Sequence, residues 1–364
     1  MSLGKVLGGA LKSVEAAVGK VEKKAVEVEH TVAGKVSAAL HSELVTSVTD
    51  PIRATVDSFE RAVSHRPQPA EPGLMHGDGA SVHYQHETGP LMDTPAASDV
   101  RQGGAGDCYF LSAMASVADT HPELIQKAIT ANPDGTYTVA FHVPPGFDAV
   151  KAFGPAGGLV EGELAGLANR MGYSPKDQLV KVTVDGDFPT RANGTSAYAH
   201  PSLTNELWPQ VMEKAYAKLW GSYDSMGTGG LPATALYALT GKTSQTHGLG
   251  TGINTLGFKV QSTRLDAQKL DAAFNTIKAA AAQKKPMEAA TYASDNTSEA
   301  LPNIINGHAY SLLGVSEHDG KRFVVLRNPW GHTEPGHDGK DDGRFELPLE
   351  DFARQFLSYT VGNA

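Results

Sequence analysis

The chain has 364 residues, enough for more than one domain and for a large buried core. Hydrophobic residues at 40% and charged residues at 20% match a folded globular chain, and its 39 glycines and 21 prolines follow no fibrous period. A net charge of −9, from 31 basic and 40 acidic side chains, excludes a generally basic nucleic-acid-binding surface, and one cysteine, Cys108, excludes an internal disulfide or a Cys-rich zinc site.

The N-terminal stretch carries apolar residues at Leu7, Leu11, Val14, Val18, Val21, Ala25, Val28 and Val32, in alternating steps of four and three. That spacing predicts an amphipathic helix with Lys and Glu outside; Asp50-Pro51 ends it, and a second periodic piece follows from Ile52 to Val63. Lys5, Lys12, Glu15 and Lys20 interrupt any secretory signal, and no uncharged apolar run reaches the roughly 18 residues of a membrane span. The expectation is synthesis in the cytoplasm without a Sec signal, with export open only to a signal-less route. Residues 1–66 form one segment, whose helices are available to dock a partner, a membrane surface or the rest of the chain. From Arg66-Pro67 the composition turns to Pro, Gly and His, which predicts a linker over residues 67–95.

A helix is expected from Cys108 to about Ala118. Tyr137–Val143 and Leu179–Val184 alternate as half-buried strands, with Asp185-Gly186 as turn chemistry. A long helix is expected from Leu203 to about Leu219 and a short one after Gly230. A boundary at Gly241 separates residues 96–240 from residues 241–364, where an Ala-rich helix over Leu270–Ala282 leads into strands.

Chemistry concentrates at two places. Gln102-Gly103-Gly104-Ala105-Gly106-Asp107 leads into the helix that Cys108 opens. The first turn of a helix has bare N–H groups and the positive end of the dipole, which favour a thiolate and would lower its pKa. Those N–H groups and the Gln102 carboxamide could also hold an oxyanion. The alternative reading of Cys108 is a buried structural thiol. The second place is a hairpin: Gly307–Val315, a turn at Asp319-Gly320, and Arg322–Arg327 returning to Asn328-Pro329-Trp330. This fold-back makes His308 and Asn328 neighbours, a base and its orienter, with the Trp330 indole shielding the bond between them.

The Gln-Gly-x-x-Gly-Asp-Cys block ending at Cys108, Gly307-His308-Ala309-Tyr310-Ser311 and Leu326-Arg327-Asn328-Pro329-Trp330-Gly331 resemble, in order, the active-site blocks of the calpain cysteine proteases. Glu206-Leu207-Trp208 and Glu213-Lys214-Ala215-Tyr216-Ala217-Lys218 resemble a helix of the same family, and the likeness covers about residues 96–360. It implies an α+β fold, a papain-like two-subdomain core with a helical Cys-bearing half and a β-rich half bearing His308 and Asn328, behind an α-helical N-terminal segment. It implies a cysteine endopeptidase acting on protein or peptide substrates: Cys108 as nucleophile, His308 as base, Asn328 as orienter, Gln102 in the oxyanion hole and Trp330 as shield.

The resemblance also implies calcium as a cofactor, with Asp99 and Glu206 at a first site and Glu334, Asp341 and Asp342 at a weaker second one, where Arg344 stands in place of a carboxylate. Two other readings use the same residues differently. In one, the three side chains perform acyl transfer or deamidation; in the other, the chain is a silent interaction protein working through its N-terminal helices. Removal of those helices by self-cleavage in the Pro-rich stretch is a further expectation.

Overall fold

The computed structural model describes residues 70–78, 81–143, 178–249, 267–292, 301–336 and 339–364. The chain divides into the units Met1–Gln68 and Pro69–Ala364, and every described residue belongs to the second. The helices expected in 1–66 lie outside the described residues.

The fold is α+β. After strand β1 (Val82–His86) and a 3-10 turn at Ala97–Asp99 come helices α1 (Cys108–Thr120) and α2 (Pro122–Ala128) and strands β2 (Ile129–Ala131), β3 (Tyr137–Val143), β4 (Gln178–Val184) and β5 (Asp187–Arg191). Helices α3 (Trp208–Trp220), α4 (Tyr223–Met226) and α5 (Pro232–Thr240) follow. The remainder is β6 (Gln245–Gly248), α6 (Ala267–Ala282), β7 (Met287–Thr291), β8 (Ala309–His318), β9 (Lys321–Arg327), β10 (Arg344–Pro348), α7 (Leu349–Gln355) and β11 (Phe356–Val361).

Two apolar cores result. The first gathers α1, α3 and α5 with β3 and β4, and the Phe110 and Tyr216 rings stack at its centre with centroids 3.7 Å apart. The second lies against a six-stranded antiparallel sheet of order β10-β9-β8-β7-β11-β6, packed with Phe274 and Ile277 of α6 and Phe352 of α7. Helix α1 is buried on all sides from Tyr109 to Ala118, and it packs on β7 and β8 as well as on its own core.

The Asp-Gly signal folds β8 onto β9 as the sequence predicts. Asp319 and Gly320 take φ of 51° and 69°, the left-handed pair that a two-residue hairpin turn requires, and His318 pairs with Lys321. The long helix starts at Trp208 rather than Leu203. Ser202 Oγ accepts from the backbone N–H groups of Thr204 (3.2 Å) and Glu206 (3.0 Å), and Asn205 has φ 62°, so a side-chain-bonded turn occupies the first predicted residues.

The stretch read as a linker is packed where it is described. β1 pairs antiparallel with β5, and Tyr84 Oη donates to Pro72 O at 2.5 Å. Tyr198 Oη accepts from Met75 N–H (2.8 Å) and donates to Asp78 (2.6 Å). The buried Lys214 ammonium reaches Glu71 and Asp185, both at 2.6 Å, and Asp187 O at 2.5 Å. Backbone pairing and single polar anchors hold this segment, neither of which leaves an apolar period to read.

Candidate active site

Glycine builds the loop before Cys108, through close approach rather than turn geometry. A Cβ on Gly103 would lie 2.0 Å from Tyr198 O, and one on Gly106 would lie 2.3 Å from Gly227 O. The loop is tied to the far block by backbone: Gln102 N–H donates to Pro329 O at 2.8 Å, and Arg327 donates to Val100 O at 2.8 Å. The hairpin end and the Cys-bearing loop thereby form one rim, and a cleft of about 590 Å³ opens there, lined by Gln102, Cys108, Gly230, His308 and Trp330 among others.

His308 stands immediately before β8 and is 6% exposed. Its backbone N–H donates to Thr291 Oγ1 and its carbonyl accepts from Thr291 N–H, both at 2.9 Å, so β7 fixes its main chain. Asn328 is fully buried. Its Nδ2 donates to Thr333 O at 3.0 Å, and its Oδ1 accepts from Trp330 N–H at 3.1 Å. Those two bonds fix which end of the carboxamide is oxygen, so the contact of 3.0 Å between His308 Nε2 and Asn328 Oδ1 must be an Nε2–H donation. Nδ1 is left as the ring's acceptor. The Trp330 ring sits against the imidazole, centroids 5.0 Å apart, and Tyr310 meets it edge-on at 5.0 Å.

Cys108 opens α1 as expected and receives the backbone N–H groups of Ala309 and Tyr109. The expected drop in thiol pKa is reversed. Desolvation outweighs those N–H groups, the Asp107 carboxyl adds to it, and the thiol is pushed up to about 12. Burial likewise pushes the His308 imidazole down to about 4 against the opposing effect of Asn328. Burial thus favours the neutral thiol and the neutral imidazole in the cleft that both line.

Gln102 lines the cleft, but both hydrogens of its amide are committed, to Ala105 O at 2.7 Å and Asp107 Oδ1 at 3.1 Å. Donation to an oxyanion requires it to give up the longer of these. Asp107 itself is a buried carboxyl beside Glu213, also buried, and burial raises both pKa values. The sequence reading passed over this acid pair, because its members lie on separate elements.

Asp99 and Glu206 meet at a second cavity of about 380 Å³ that Asp93 and Thr204 also line. Burial, with a smaller contribution from the Glu206 charge, raises the Asp99 pKa. An all-oxygen set with mutually repelling carboxylates suits a hard cation. Glu334, Asp341 and Asp342 do not bring their ligand atoms together as a group of three. Asp341 accepts from Thr333 N–H at 2.9 Å, Asp342 accepts from Arg344 N–H at 3.0 Å, and Asp342 also acts on the buried Arg327 guanidinium. Among the described residues the sole group of three such side chains with converging ligand atoms is Glu71, Asp185 and Asp187, and Lys214 fills it.

A helix-borne thiol and an Asn-oriented histidine across one cleft define the site by their chemistry. Residues 168–341 match the calpain family cysteine protease family, a stretch that includes His308 and Asn328 and begins after Cys108. The chain is 34% identical over 242 residues to the calpain-type cysteine protease ADL1 of Oryza sativa subsp. japonica, covering 65% of this chain and 9% of that protein. It is 28% identical over 291 residues to calpain-8 of Mus musculus (73% and 35%) and 30% identical over 295 residues to calpain-13 of Rattus norvegicus (73% and 37%). These matches support a calpain-family cysteine protease core, and the chain spans little more than a third, or far less, of each of these relatives. No helix among the described residues is long and apolar enough to cross a membrane.

Proposed function

We propose that the protein is a cysteine endopeptidase that hydrolyses peptide bonds through Cys108, His308 and Asn328, set in a papain-like pair of subdomains. The observation that carries this reading is the His308 Nε2–H bond to an Asn328 carboxamide whose orientation two further bonds fix. It leaves Nδ1 free of the proton in the cleft that Cys108 lines.

Because both partners rest neutral, proton transfer accompanies attack. The Cys108 proton passes to His308 Nδ1 as sulfur bonds to the peptide carbonyl carbon and the π electrons move to oxygen. The N–H groups at the start of α1, with Gln102 once it releases Asp107, accept that charge. Collapse breaks the C–N bond as His308 returns the proton to the leaving amine. Water then gives a proton to Nδ1 and attacks the thioester, and the acid product leaves as sulfur regains its proton. The Trp330 indole keeps water from the bond between His308 and Asn328 throughout.

Asp99 and Glu206 are the residues that would hold a calcium ion; bound there, it would neutralise their charge and brace the segment before Cys108. Glu334, Asp341 and Asp342, whose ligand atoms do not come together as a group of three, are assigned no cation. Self-processing belongs to the same reading, with the cut falling before the packed residues that start at 70.

Cleavage of an unstructured protein by wild type and Cys108→Ala, each with calcium and with chelator, tests the proposal. Expected are loss of turnover in Cys108→Ala and a calcium-dependent rise in melting temperature that Asp99→Asn and Glu206→Gln both lose. Full activity of Cys108→Ala overturns the enzyme reading, and mass spectrometry of the products separates cleavage from deamidation.

A further inference from the structure

Between α1 and the sheet runs a polar seam that the mechanism above does not use. Cys108, Ser112 and Ser116 recur at four-residue steps and so share one face of α1. Each meets a different point of the sheet. The Cys108 thiol receives Ala309 N–H at the start of β8. Ser112 Oγ lies 2.5 Å from Glu288 Oε1, and Ser112 O accepts from Ser311 Oγ at 2.8 Å. Ser116 Oγ accepts from Met287 N–H at 2.7 Å. Glu288 and Ser311 are direct cross-strand partners of β7 and β8. All four polar side chains are at most 1% exposed. The strand that carries Glu288 also carries Thr291, which holds the His308 backbone from both sides.

We propose that Glu288 is a positioning residue for Cys108 and His308: bonded to Ser112 and paired with Ser311, it fixes the helix bearing the thiol in register with the strands bearing the imidazole. This inference rests on the reading of Cys108 and His308 as reacting partners.

A carboxyl is an improbable occupant of such a place unless its hydrogen bonds are used. Among the described residues no cation contacts Glu288, its second oxygen has no partner, and the titratable group facing it is the Cys108 thiol. An ionised carboxylate would cost several kcal/mol there. It is therefore a neutral acid, in agreement with the large upward displacement that burial imposes on it. A neutral acid can exchange O–H bonds with the Ser112 hydroxyl, and it puts no charge one helical turn from the nucleophile. Removing it leaves the Ser112 hydroxyl buried without this partner and removes the link from α1 to β7 nearest Cys108.

The test compares wild type with Glu288→Gln, Glu288→Ala, Ser112→Ala and the Ser112→Ala/Glu288→Ala double variant. Two readouts are taken: kcat and KM for an unstructured protein, and the pH profile of Cys108 alkylation by iodoacetamide. Alkylation needs no substrate, so it tests the seam even if wild type proves inactive as a protease, an outcome that overturns the enzyme reading alone. Glu288→Gln, which keeps the shape and hydrogen bonding of a neutral acid, is expected within about threefold of wild type in kcat with the same alkylation profile. Glu288→Ala is expected to lose about tenfold or more in kcat with KM little changed, because displacement of a reacting group is felt in the chemical step, and to shift the alkylation profile. The double variant is expected to fall no further than Glu288→Ala, as for two members of one bonded unit. Unchanged kcat and profile in Glu288→Ala, a loss in Glu288→Gln as deep as in Glu288→Ala, or additive losses in the double variant would each overturn the proposal.

Discussion

Replacing Asn328 with alanine separates orientation of the base from its chemistry. The side chain is fully buried and takes part in three hydrogen bonds, at 3.0 Å to His308, 3.0 Å to Thr333 O and 3.1 Å from Trp330 N–H. At a net worth of about 1 kcal/mol each, their loss costs roughly 3 kcal/mol of stability, less where water enters the space. The effect on rate is different in kind. His308 keeps its basic nitrogens but loses the acceptor that fixes the proton on Nε2, so Nδ1 is presented to the thiol for only part of the time. One such bond, about 1.4–2.7 kcal/mol in the transition state, corresponds to a tenfold to hundredfold drop in kcat. KM should barely move, because Asn328 lies behind the imidazole. Steady-state cleavage of an unstructured protein, with a urea melt on the same sample, measures both effects. A kcat within twofold of wild type would refute the orienting role. A folded variant as dead as Cys108→Ala would show that Asn328 does more than orient.

Three further outcomes follow from the geometry. Burial lowers the His308 pKa from 6.5 to about 4. The unfolded chain therefore binds a proton in that window that the folded one refuses, so stability is full above pH 6.5 and falls as pH drops toward 4, by about 3 kcal/mol from this group. His308→Gln should show a correspondingly shallower decline of urea midpoint between pH 7 and 4; an unchanged slope refutes the burial argument. Lys214→Met strands the Glu71 and Asp185 carboxylates, each now 2.6 Å from the ammonium. A loss of about 3–5 kcal/mol is expected in the same assay, and a loss under about 1 kcal/mol would contradict the ion cluster. Gly103→Ala would put its methyl 2.0 Å from Tyr198 O, so the loop that carries Gln102 must move. A drop in both melting temperature and kcat is expected, and wild-type values for both would be inconsistent with the close approach.

The hairpin and its consequence were legible from sequence because they depend on local chemistry. Asp319-Gly320 sets the turn, the turn sets the register, and the register brings Asn328 to His308. The Cys-bearing helix was legible in the same way, from the glycine-rich loop before Cys108 and the apolar-periodic run after it. Four things were not. Residues 70–93 carry little apolar periodicity and are held by pairing with β5 and by Lys214 and Tyr198, partners more than 100 residues away. The helix N-terminus argued for an acidic thiol, yet the pull of its N–H groups yields to desolvation by a core that only the folded chain assembles. Ser112 and Ser116 read as ordinary small helix residues until β7 brings Glu288 and Met287 against them. The carboxylates of Asp341 and Asp342 are near Glu334 in sequence but are engaged by backbone N–H groups and, for Asp342, a neighbouring guanidinium, which proximity in the chain does not disclose.

The central claim is that Cys108 and His308 react as one unit, and the most direct measurement is covalent labelling of Cys108 by an uncharged peptide electrophile at pH 7, followed by intact mass. With a thiol pushed up to about 12, labelling without a base would be slow, so the folded wild type should react at Cys108 while His308→Ala reacts at least about a hundredfold more slowly. Equal labelling rates in the two folded proteins would contradict the claim.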